Sequence, residues 1–156
     1  MGKVTVCTFA GHREVYQANS SELLDEAISK IINTDDNFRF LVGDMGEFDG
    51  MCSSAVRRAK RNYPNKEIRL ELILPYLTHE LNENKLYYET SFDDVVIPIE
   101  LAGVHYKSSI TKRNRWMVEQ SDWLIAFVYR DFGGIYTTLR YAEKKGLQII
   151  NLAKMP

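Results

Sequence analysis

Apolar residues along this chain alternate between two rhythms. Short apolar runs rich in β-branched and aromatic residues occupy positions 4–10 (VTVCTFA), 38–42 (FRFLV), 68–74 (IRLELIL), 123–128 (WLIAFV) and 148–152 (QIINL). Runs of this length bounded by turn residues predict strands. Between them the spacing changes. After Asn19-Ser20-Ser21, which can cap a helix, Leu23, Leu24, Ala27, Ile28, Ile31 and Ile32 form one apolar helical face. A second helix is predicted over about 47–62, with Met51, Cys52, Ala55, Val56 and Ala59 inward and the basic Arg57, Arg58, Lys60 and Arg61 outward. Further helices are predicted over 107–120 and 134–145. Residues 76–106 read as a long irregular connection holding at most a short strand or a helical turn.

Strands that alternate with helices imply a parallel sheet covered on both faces. The expectation is a single Rossmann-like three-layer α/β domain over residues 1–156, with a mainly parallel sheet of five or more strands. Such folds place ligands outside the carboxyl ends of the strands. Gly11, Gly43, Gly46, Gly133 and Gly134 all fall at those ends.

Composition narrows the options. At 156 residues with 45% apolar and 26% charged residues, the chain fits one ordinary globular domain. A net charge of −1 gives no bulk attraction to nucleic acid, so any anion site must be local. The basic run at 57–61 has only Tyr63 nearby, which suits a solvated helix face better than a single-strand groove. Both features argue against nucleic acid as a partner. Cys7 and Cys52 lie apart in apolar stretches and read as buried free thiols of a reducing compartment. No apolar run reaches the roughly 18 residues of a membrane span, so a cytoplasmic protein without membrane contact is expected. His12, His79 and His105 are scattered, so neither a metal nor a cofactor is expected.

Four clusters can carry chemistry. Gly11-His12-Arg13 follows the first strand and offers a tight turn with donors for an anion, or else a surface turn with an ion pair. Residues 43–50 (GDMGEFDG) join the second strand to its helix; Asp44 or Glu47 can cap that helix. Asp49 either accepts from ribose hydroxyls or holds Arg13. In Arg113-Asn114-Arg115-Trp116-Met117 the two arginines lie about 200° apart on a helix, so only one can face a given pocket. Gly133-Gly134 opens a helix whose Thr137 and Thr138 add hydroxyl donors for phosphate, or form a plain strand-to-helix turn.

Taken in order, these clusters resemble the SLOG superfamily, named for the SMF/DprA and LOG proteins, and in particular its small YpsA-like bacterial and phage-associated members. The resemblance spans nearly the whole chain. It rests on the GHR turn at 11–13, the VGxxGxFD segment at 42–49, Ile97-Pro98-Ile99-Glu100, the RNxWM helix at 113–117, the Gly133-Gly134 turn and the IINL strand at 149–152. It implies a nucleotide-binding module, with a sensing role in view. The residues it marks for the ligand are Gly11, His12, Arg13, Gly43, Gly46, Asp49, Arg113, Gly133, Gly134, Thr137 and Thr138. LOG relatives pair as homodimers, so a dimer is expected. The LOG branch hydrolyses the N-glycosidic bond of nucleoside monophosphates, using a glutamate where this chain has Arg140. A guanidinium cannot act as a base. Hydrolysis would therefore need a relocated carboxylate, for which Glu100 is the first candidate and Asp49 and Glu143 are alternatives.

Overall fold

In a strand the side chains alternate between faces, and here that alternation assigns each strand residue to one of two helical layers. The computed structural model describes residues 3–154, so the ends of the expected 1–156 domain lie outside the described part. From β1 (Val4–Gly11), Cys7 and Phe9 enter the larger core with α1 (Ser20–Ile32) and α2 (Glu47–Asn62). Phe38, Phe40 and Val42 of β2 (Asn37–Val42) and Leu70 and Leu72 of β3 (Glu67–Ile73) join them. On the other face Val6 meets Leu41, Ile73 and Met117, and Ala10 meets Val118, Leu139 and Ala142.

The connection over 76–106 carries more structure than expected. It forms α3 (His79–Glu83), α4 (Lys85–Ser91), the strand β4 (Asp94–Val96) and a 3-10 turn at Ile99–Leu101. No residue of α3 is buried and α4 buries only Tyr88, so neither helix has an apolar period to read. The chain continues through α5 (Tyr106–Glu119), β5 (Trp123–Phe127), α6 (Gly134–Lys144) and β6 (Gln148–Asn151).

The result is a six-stranded sheet in the order β4-β3-β2-β1-β5-β6. Every pairing is parallel. The chain steps outward from β1 to β4, then returns to lay β5 on the other side of β1. That reversal between β1 and β5 is the switch point where doubly wound sheets open a crevice. Because all strands run one way, Gly11, Gly43 and the Gly133-Gly134 turn sit at a single carboxyl edge.

Two polar features depart from the sequence reading. Arg39 and Glu71, inside strands read as apolar, form a two-pronged ion pair, with Nε–Oε2 at 3.0 Å and Nη2–Oε1 at 2.7 Å. Glu71 is buried. The basic face of α2, read as solvated, is largely bonded: Arg57 donates to the Ser91 carbonyl, Arg58 pairs with Asp25 and Lys60 with Asp93. These cations tether α2 to α1 and to the α4–β4 segment. Cys7 and Cys52 are buried free thiols. Among the described residues no helix is long and apolar enough to cross a membrane.

Candidate functional site

The site is built on two loops that glycine allows to approach each other. A Cβ at Gly11 would lie 2.2 Å from the Phe48 ring. The bare α-carbon lets that ring sit over the end of β1, where it also stacks on Phe127 at 5.9 Å. Phe48 thereby pins the first turn of α2. Gly46 has φ +93, and a Cβ there would meet the Arg13 backbone at 2.8 Å. The Glu47 N–H donates to the Arg13 carbonyl at 2.8 Å, and the Glu47 carboxylate accepts from the Val15 N–H at 2.7 Å. Glu47 thus ties the loop after β1 to the start of α2 and caps nothing within its own helix.

At Gly43 a Cβ would stand 3.0 Å from Asp49 Oδ2 and 3.1 Å from Arg113 Nη1. The missing side chain leaves room over the backbone for both the acid of α2 and the cation of α5, which stay outside ion-pairing distance of each other. Beside them lies a cavity of about 90 Å³, lined by Gly11, Arg13, Gly43, Met45, Asp49, Ile110, Arg113, Asn114, Met117 and Ile135 among others. That is the share of about three waters, far below the roughly 300 Å³ at which small-molecule pockets begin. It suits a single phosphate-sized group.

Arg113 dominates the electrostatics. It is 3% exposed. Its Nη1 donates to the Ile73 carbonyl at 2.8 Å and its Nε to Asn114 Oδ1 at 3.0 Å, while Nη2 has only the weak Met45 sulfur at 3.6 Å. A guanidinium has five N–H donors, so these contacts leave capacity unused. Among the described residues no carboxylate lies within ion-pairing distance of it. Burial lowers its pKa, while Asp49, Asp44 and Tyr76 oppose that shift. Asp49 is pushed up to about 6, mainly by burial, against the Met45 N–H bond and the Arg113 charge. The cavity therefore holds a buried cation beside an acid that titrates near neutrality.

Gly11, Arg13, Gly43, Asp49 and Arg113, of the residues marked from sequence, line this cavity, and the others have different surroundings. His12 is buried; its Nε2 accepts from the Tyr129 N–H at 3.2 Å, and its backbone N–H donates to the Phe127 carbonyl. It staples the loop after β1 to the end of β5. Burial and the nearby Arg130 lower its pKa, which suits a neutral acceptor. Gly46 spaces the loops. A Cβ at Gly133 or Gly134 would meet open space. Thr137 and Thr138 hydroxyls donate back to the Gly133 and Gly134 carbonyls, each at 3.0 Å, rather than outward. Glu100 is exposed and accepts from Trp116 Nε1 at 2.9 Å. Arg140 pairs with Glu143 on the outer face of α6. Arg115 lies 5.3 Å over the Tyr141 ring, on the opposite side of α5 from the cavity-lining Arg113, as the helical period requires. Among the described residues no three metal-ligating side chains cluster.

No protein-family model matches the chain, and no curated protein does. Solved structures share its fold, among them two DNA processing proteins. DNA processing protein A from Helicobacter pylori aligns with a TM-score of 0.60 at 15% identity, covering 93% of this chain and 63% of that one. DprA from Streptococcus pneumoniae aligns at 0.55 and 10% identity, covering 97% of this chain and 60% of that one. This chain thus spans less than two thirds of either neighbour. At such identities the likeness is one of fold alone, and that fold is Rossmann-like. It also corrects one expectation. The sequence reading set nucleic acid aside as a partner, yet the Helicobacter pylori protein binds single-stranded DNA. Net charge describes the whole surface, whereas a local site on this fold can meet a phosphodiester whatever the total, so that exclusion falls.

Proposed function

We propose that the chain is a nucleotide-binding module of the SLOG type, acting as one domain, and that the Arg113 cavity seats the ligand's phosphate. The observation that carries this reading is a guanidinium 3% exposed, without a carboxylate partner among the described residues, lining a phosphate-sized cavity at the carboxyl edge of the sheet beside the ends of β1 and β2. A buried charge left unpaired is costly, and a bound anion would remove that cost. Glycine loops on both sides bring backbone close to the same spot. The motif spacing further supports a place among the YpsA-like members. Hydrolysis through Glu100 has no comparable support, because that carboxylate is outside the cavity lining and bonded to Trp116.

The test is a titration of AMP and of inorganic phosphate into the protein, followed by backbone amide NMR. A hydrogen bond to a charged group contributes roughly 1.5–3 kcal/mol, so Arg113→Ala should weaken binding by about 10- to 150-fold. Arg115→Ala should leave affinity within about threefold. Equal losses in the two variants, or none at Arg113, would refute the assignment. Arg113 also holds the Ile73 carbonyl, so the melting temperature of each variant is compared alongside.

A further inference from the structure

A cavity the size of one phosphate leaves the rest of a nucleotide to be housed. Next to it runs a groove of about 380 Å³, and the two share Met45 and Arg113 as a common wall. That volume falls within the range of small-ligand pockets. The groove lies at the carboxyl end of β3, where the start of the long connection over 76–106 faces the loop after β2.

Its chemistry is uneven. Leu74 and Pro75 give it a buried apolar wall, and Tyr76, 40% exposed, offers a ring face. Asp44 and Glu80 also line it, and neither is ion-paired among the described residues. Burial, with those two carboxylates nearby, raises the pKa of Tyr88 at the same wall. Asp44 and Tyr76 both act electrostatically on Arg113, so the groove begins where the phosphate seat ends.

We infer that this groove, bounded by Asp44, Tyr76, Glu80 and Tyr88, holds the nucleoside of the ligand and favours a base bearing an exocyclic amine. The inference rests on the phosphate assignment made above. A carboxylate can only accept hydrogen bonds. Two carboxylates without ion-pair partners, lining one groove, therefore suit ribose hydroxyls and an amino group, and they repel the carbonyl edge of uracil or thymine. Tyr76 supplies the stacking face that any base can use.

The experiment measures affinities of wild-type protein, Tyr76→Ala and Glu80→Gln for AMP, UMP and inorganic phosphate by NMR titration. Wild type should bind AMP more tightly than phosphate. Tyr76→Ala should weaken AMP by about 5- to 150-fold while leaving phosphate within about twofold. Glu80→Gln should shrink the preference for AMP over UMP. A 5′-phosphorylated oligodeoxyadenylate run beside AMP tells a free nucleotide from the end of a strand, and Tyr76-dependent binding of either supports the subsite. If phosphate binds but AMP binds no tighter, or Tyr76→Ala changes nothing, the groove assignment is overturned and the phosphate seat stands. Equal weakening of phosphate by Tyr76→Ala overturns it as well. If neither AMP nor phosphate binds wild type, the phosphate seat falls and the groove assignment falls with it.

Discussion

Replacing Asp49 by Asn should turn a pH-dependent anion site into a constant one. The carboxyl lies 3.0 Å from the Met45 N–H, a bond the Asn amide oxygen can keep. What the substitution removes is the negative charge that develops above about pH 6, inside the cavity proposed to take an anion. If anion binding requires the protonated acid, affinity falls tenfold per pH unit above that point. The loss reaches an upper bound of about 100-fold at pH 8. Sulfate is the right probe, because it stays a dianion from pH 5 to 8 while phosphate does not. Calorimetry in two buffers of different ionisation enthalpy should show proton uptake on sulfate binding by the wild type at pH 7, and none by Asp49→Asn. The facing groups Arg13, Asp44 and Arg113 are unchanged in the variant. The folded pKa stands above the ordinary value of 3.8, so this group's contribution to stability is intact below that value and is lost as pH rises through about 6. Asp49→Asn should thus match wild-type stability below about pH 3 and exceed it by up to about 3 kcal/mol at pH 8. Wild-type sulfate affinity that is flat from pH 5 to 8, or an equal slope in the variant, would refute the reasoning.

Gly11→Ala should drive a methyl into the Phe48 ring, since the Cβ would stand 2.2 Å from it. Overpacking of this kind costs roughly 1–3 kcal/mol, readable as a lowered denaturant midpoint, and a neutral result would show that Phe48 moves freely. His12 has a lowered pKa, so its contribution to stability is present at neutral pH and is lost as pH falls through the folded value, below 6.5. His12→Ala should cost about 1 kcal/mol at pH 7.5 by orphaning the Tyr129 N–H, and should flatten the decline in melting temperature between pH 7 and pH 5. An unchanged acid-side decline would place its origin elsewhere.

The apolar runs announced five of the six strands, because a buried parallel strand must be apolar on both faces. The helical period also separated Arg113 from Arg115, since residues two apart on a helix face apart. Other features were hidden for physical reasons. The exposed α3 and α4 carry no amphipathic signal. A glycine's need is set by its spatial neighbour: nothing in the sequence around Gly11 names Phe48, which lies far along the chain. Thr137 and Thr138 look the same in sequence whether their hydroxyls face a ligand or bond back to the preceding turn, and here they bond back. Met45, Ile110 and Ile135 enter the cavity lining as ordinary apolar residues, with no chemistry to mark them. The groove's Asp44, Tyr76, Glu80 and Tyr88 converge only once the short helices are folded.

The claim on which everything else depends is that a phosphate binds against Arg113 at the carboxyl edge. A crystal structure of the protein grown with AMP tests it most directly. The account predicts phosphate oxygens within hydrogen-bonding distance of the Arg113 guanidinium, between Gly11 and Gly43. A phosphate seated on the Gly133-Gly134 turn without contact to Arg113, or at the amino edge of the sheet, would contradict it.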